Sequence, residues 1–153
     1  MTRDALLGSL HADSCAHLSS EVRSLLAHST FKIDLWNPIP WDQIPDGHTL
    51  GRATVKKTFA GDLEGTSTAE LVMSRGADNS AAYVAIERID GLLGGRSGTF
   101  VLMHAATADA SGQRGDWQVV PGSGTGELRG LRGKAEYRHD AAGAFFTLDY
   151  EIG

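Results

Sequence analysis

Glu87 and His104 bound the stretch "ERIDGLLGGRSGTFVLMH" and are the two side chains whose spacing best makes a proton-transfer pair. Between them stands Gly94-Gly95, flanked by β-type runs, which is the signature of a two-residue hairpin loop. That loop sets Leu93 opposite Arg96, Glu87 opposite Leu102 and Ala85 opposite His104. Opposed residues share a face, so Tyr83, Ala85, Glu87 and Ile89 join Phe100, Leu102 and His104 on one mainly apolar side. Glu87 and His104 are then diagonal neighbours, roughly 7 to 8 Å apart at Cα. A carboxylate and an imidazole on an apolar wall are the parts of a general acid/base pair. Burial raises the carboxyl pKa and a charged imidazole lowers it, so the net direction stays open. A hydrogen-bonded structural pair, in a filled barrel or on an outward face, is the other reading. A one-residue slip would send the two to opposite faces. In the catalytic reading Tyr83, Phe100, Leu102 and Trp117 form the substrate walls, and Glu87→Gln keeps the fold and ligand binding while impairing proton transfer.

Other candidate chemistry is weaker. In "GDLEGTSTAELVM", Glu64, Thr66, Thr68, Glu70 and Val72 fall on one face, and Leu63, Gly65, Ser67, Ala69 and Leu71 on the other. Two carboxylates six residues apart on a strand stand about 20 Å from each other, too far to act as a pair. The histidines show no short paired spacing of a metal site, so neither a metal nor a cofactor is expected. The glycine-rich "VVPGSGTGELRGLRG" fails the dinucleotide pattern at Glu127 and the phosphate-loop pattern at Leu128 and Ala135. Gly122-Ser123-Gly124 is not a nucleophile elbow. Its glycines instead predict a turn over 122–126, after which "ELRGLRG" runs on as a curved strand.

These residues need a scaffold. From residue 31 onward the apolar period is two, in "FKIDLW", "RATVKKTF", "STAELVM", "AAYVAIERI", "GTFVLMH", "DWQVV", "KAEYRH" and "FFTLDYEI". Turn residues separate these runs, among them Pro38 and Pro40 in a loop flanked by Trp36 and Trp41, and no helical segment intervenes. An all-β, antiparallel eight-stranded meander over 31–153, closing into a barrel or a flattened sandwich, follows. Nineteen glycines in 153 residues, against a usual share of about 7%, suit such tight architecture. Residues 1–30 read as a helical leader with Ser14 as N-cap and Leu18, Val22, Leu25 and Leu26 on one apolar face. That face is expected to pack on the barrel exterior or, in a homo-oligomer, on a second copy. With a net charge of −5, scattered basic residues and no long apolar run, neither nucleic acid nor membrane is an expected partner, and a cytoplasmic protein is expected. Cys15 stands alone, which excludes an internal disulfide.

Residues 31–153 resemble a small bacterial family of unknown function whose barrel is similar to those of allene oxide cyclase and the plant dirigent proteins. The segments that carry the resemblance are "TVKKTFAGDLEGTSTAEL", "AAYVAIERIDGLLGGRSGTFVLMH", "VVPGSGTGELRGLRG" and "FTLDYEI". Met103 departs from the pattern, which commonly has Gln before the histidine. The resemblance implies an allene oxide cyclase-like barrel and, by analogy, an apolar small molecule in its cavity. Two readings follow: a cofactor-independent cyclase or isomerase using Glu87 and His104, or a non-catalytic carrier or filled assembly barrel. A barrel of eight strands is of the size where either holds.

Overall fold

A computed structural model describes residues 23–153. The strands are β1 (Leu25–Asp42), β2 (Thr49–Gly61), β3 (Leu63–Arg75), β4 (Ala81–Leu93), β5 (Arg96–Asp109), β6 (Gly112–Val119), β7 (Leu131–Asp140) and β8 (Gly143–Ile152). Each pairs antiparallel with its sequence neighbour, and β1 pairs with β8 to close the barrel. All eight period-two runs therefore became strands, and the pairing of β1 with β8 joins the two ends of the sheet.

Three expectations change. Leu25 and Leu26, expected on a helix face, open β1 and pair with Tyr150 and Asp149 of β8. Ser14, Leu18 and Val22 lie outside the described residues, among which the only helical element is a short 3-10 turn, Gly126–Leu128. Closing the barrel requires a partner for β8, and β1 supplies it from a segment whose local pattern also suited a helix.

Pro38 and Pro40 do not form a loop. β1 runs straight through them in register with Ala53 and Gly51 of β2, and Trp36 and Trp41 are half-exposed strand residues. β8 pairs only with Leu25–Thr30, so the second half of β1 is a free edge where a missing N–H costs no ladder bond.

The stretch "ELRGLRG" is not one strand. Gly126–Leu128 coil into the 3-10 turn, Gly130 turns at a φ of 80°, and β7 begins only at Leu131. The glycine-rich loop closes the barrel floor. β6 ends at Val119, and the loop serves the edge of β5 in its place, with the Val101 N–H donating to Ser123 Oγ at 3.0 Å and the Thr99 N–H to Thr125 Oγ1 at 2.9 Å. Leu128, fully buried, then plugs that end. Backbone bonds complete the edge, the Val120 N–H donating to the Val101 carbonyl and the Thr125 N–H to the Thr99 carbonyl, each at 2.8 Å.

The interior is layered. Near the floor, Phe59, Leu63, Leu93, Phe100, Phe146 and Leu148 form a closed apolar core. Above it, Ala53, Ala69 and Ala85 present small side chains to the axis, with Val55 and Leu71 beside them. Small residues at this level leave room for large polar ones from neighbouring strands.

Candidate functional site

The polar layer is built by strand register. β4 and β5 pair as the Gly94-Gly95 turn predicts, Glu87 with Leu102 and Ala85 with His104, so both side chains point inward. Glu87 is fully buried and His104 is 4% exposed. The imidazole Nε2 donates to Glu87 Oε2 at 3.1 Å. Inward alternation on β2 (Val55, Lys57, Phe59) and on β3 (Ser67, Ala69, Leu71) delivers Lys57 and Ser67, which are cross-strand partners.

Lys57 Nζ donates to both carboxylate oxygens, at 3.1 and 3.0 Å. Ser67 Oγ donates to Oε1, and the Tyr137 hydroxyl donates to Oε2 at 3.0 Å. The Glu87 carboxylate thus accepts from four side chains, which fills the lone-pair positions it has. These partners outweigh the cost of burial. Desolvation pushes the carboxyl up, but the His104 and Ser67 hydrogen bonds and the Lys57 charge bring it down to about 2, from an ordinary 4.5. Glu87 is an ionised hub at neutral pH. The Lys57 ammonium also stands 4.3 Å from the centre of the Tyr137 ring, a cation–π contact inside the barrel.

On its other side, His104 accepts at Nδ1 from the Tyr83 hydroxyl, 3.1 Å away. With Nε2 facing Glu87 and Nδ1 facing Tyr83, the imidazole bridges both neighbours. Burial is the main cause that raises the Tyr83 phenol pKa, with the Glu87 charge adding to it and the nearby Trp117 indole opposing it. Trp117 nevertheless reaches no hydrogen-bond geometry, and its buried N–H lacks an acceptor. Burial also holds the Tyr137 phenol well above its ordinary value, with the Glu87 charge second. Both tyrosines are therefore protonated donors at neutral pH.

Tyr83 is where the polar layer meets open space. A cavity of about 200 Å³ at the barrel mouth is lined by Trp36, Leu71, Met73, Tyr83 and Ala106, with Arg75 at its rim. It adjoins a larger rim cavity of about 580 Å³ that shares Trp36, Met73 and Arg75. A third space, about 900 Å³, opens where β6 and β7 diverge, since these strands pair only at Trp117–Ala135 and Gln118–Lys134. Trp117 and Tyr137 line that cleft.

The structure thus brings Glu87, His104, Tyr83 and Trp117 together. Phe100 and Leu102 share their wall but are sealed in the core at 1% and 0% exposure. The sequence reading missed Lys57, Ser67 and Tyr137 as site residues. A signal for the first two existed: period two from Val55 and Phe59 puts Lys57 on the apolar face, and Ser67 falls on the face of Ala69 and Leu71. Met103 faces outward and is 42% exposed, so its departure from the expected residue leaves the interior unchanged. Among the described residues no group of three His, Cys, Asp or Glu side chains could hold a metal ion, and no helix is long and apolar enough to cross a membrane.

A family model described as a protein of unknown function, DUF3224, matches residues 27–150, a span that contains every residue of the polar layer. The crystal structure of a DUF3224-family protein of unknown function from Shewanella oneidensis MR-1 is similar, with a TM-score of 0.77 and 33% sequence identity over 86% of this chain and 99% of that one. No curated protein matches the chain.

Proposed function

The chain belongs to the DUF3224 family of proteins of unknown function, and from its geometry we propose that it binds an apolar small molecule at the barrel mouth. One observation carries this reading: the ring of Tyr83 lines the mouth cavity while its hydroxyl is held by the buried His104–Glu87–Lys57 layer. A mainly apolar recess with a few placed polar groups, one of them a fixed hydroxyl, is the usual form of a small-molecule site. Leu71, Met73, Ala106 and Trp36 supply the apolar contact, and Tyr83 supplies orientation. Glu87 and His104 act from behind as positioning residues, since the carboxylate has no acceptor position left for a ligand.

A neutral fluorescent probe, N-phenyl-1-naphthylamine, tests the reading. It is expected to bind the purified protein with enhanced fluorescence, and Met73→Trp, which fills the recess, is expected to abolish the signal at unchanged melting temperature. Binding that persists in Met73→Trp, or absence of binding in the unaltered protein, overturns it. Native mass spectrometry of freshly purified protein would report a retained ligand directly.

A second reading is a cofactor-independent cyclase or isomerase, which the sequence resemblance to allene oxide cyclase and dirigent barrels implies and the Tyr83–His104–Glu87 chain supports. In that reading the Tyr83 hydroxyl is the group that meets the substrate, and His104 takes or returns its proton. A carboxyl held at about pKa 2 is a poor proton acceptor at neutral pH, so Glu87 would steady the imidazole rather than react. Binding without turnover therefore stands first.

A further inference from the structure

We propose that the molecule taken up at the mouth is an amphiphile with an anionic headgroup, a carboxylate or a phosphate monoester, gripped by Arg75 while its apolar body lies on Met73, Trp36 and Tyr83. The proposal rests on the mouth-binding reading above and adds the class of ligand. Along β3 the inward row climbs through Ala69, Leu71 and Met73 and ends at Arg75, so the apolar wall is followed by a guanidinium one step further out.

Arg75 lines both the inner recess and the rim cavity, and Arg52 of β2 joins it at the rim. No acidic residue lines either cavity, although the chain as a whole has a formal charge of −5. Among the described residues the ion pairs are Lys32–Asp34, Lys57–Glu87, His104–Glu87, Arg114–Asp109 and Arg138–Asp140, and neither Arg52 nor Arg75 takes part. An arginine fork matches the planar oxygens of a carboxylate or the oxygens of a phosphate. The order of surfaces, apolar recess and then cationic rim, is the order of body and headgroup in an amphiphile whose charged end stays near water.

Displacement of N-phenyl-1-naphthylamine by octanoate, octyl phosphate and 1-octanol tests this. Octanoate or octyl phosphate is expected to compete about tenfold more strongly than 1-octanol, the factor that one charge-assisted hydrogen bond supplies. Arg75→Gln is expected to remove that preference while leaving 1-octanol competition and the melting temperature unchanged. Added salt should narrow the preference too. If 1-octanol competes as well as both anions, or if Arg75→Gln keeps the preference, the headgroup assignment is overturned and the apolar site stands. If the probe does not bind, or no compound including 1-octanol displaces it, the mouth-binding reading fails and this proposal with it.

Discussion

Glu87 is the residue on which the interior turns. Fully buried and ionised, it is tolerable only because Lys57, His104, Ser67 and Tyr137 all donate to it. This reverses the expectation that Glu87→Gln would leave the fold intact, since the substitution strands the Lys57 ammonium in the barrel. Removing one partner of a buried pair costs about 3–5 kcal/mol, whereas replacing both by neutral side chains of similar volume is often close to neutral. Urea denaturation should accordingly show Glu87→Gln strongly destabilised and the Glu87→Gln/Lys57→Met double variant recovering most of the loss; equal losses in both would mean that the pair is not coupled. Acid reports on the same residue. The folded carboxyl titrates at about 2 and the free one at 4.5, so between these values the unfolded chain binds the proton first. The stabilisation is complete above about pH 5 and is lost as pH falls from 4.5 through 2, on the order of 3 kcal/mol in all. Several surface carboxyls titrate low as well, Asp34 and Asp78 among them. The difference in urea midpoint between the unaltered protein and the double variant, followed down in pH, isolates the Glu87 part, and a constant difference would refute it.

At the scale of elements, the β4–β5 hairpin was readable because its turn residues fix its register. Gly94 and Gly95 both adopt positive φ, 56° and 81°, as a two-residue loop of that hand requires, and every pair up the hairpin follows. The loop before β7 was less readable. Its glycines signalled a turn, but the 3-10 turn and the plug by Leu128 depend on how β5 presents its edge to Ser123 and Thr125. Gly130 shows the difference in mechanism. The sequence suggested a bend within a strand, and the structure shows a left-handed turn residue whose missing Cβ leaves space for the Gly153 carbonyl. Gly130→Val combines a disfavoured φ for a branched residue with a backbone clash. It should therefore lower stability by at least about 1–3 kcal/mol in thermal or urea unfolding, and an unchanged midpoint would show that the turn relaxes freely.

For the whole molecule, the closure of β1 on β8 decides where the domain begins. Leu25 through His28 pair with Tyr150 through Thr147, so the first strand starts six residues before the boundary that period two suggested. Deleting residues 1–28 removes that ladder segment and leaves part of β8 as an open edge. A lower melting temperature with exposure of apolar surface to a dye is expected; an unchanged melting temperature would mean that closure is dispensable. The same closed barrel puts the apolar plug at one end and the recess at the other, with a further opening at the seam where β6 and β7 part.

Local pattern in the sequence was enough for the number of strands, their antiparallel order, the common face of Glu87, His104 and Tyr83, and the register of one hairpin. All of these follow from period-two burial and from turn chemistry acting over a few residues. The rest required the assembled barrel. Lys57 and Tyr137 come to Glu87 from strands 30 and 50 residues away in sequence, and their meeting depends on barrel tilt and stagger, which no local pattern encodes. The tertiary structure likewise turned the pair into an ionised hub, because the direction of the Glu87 shift depends on how many donors surround it. It also placed Phe100 and Leu102 in the sealed core and Met73 at the recess, since residues of one inward parity differ in function only by their height along the barrel axis.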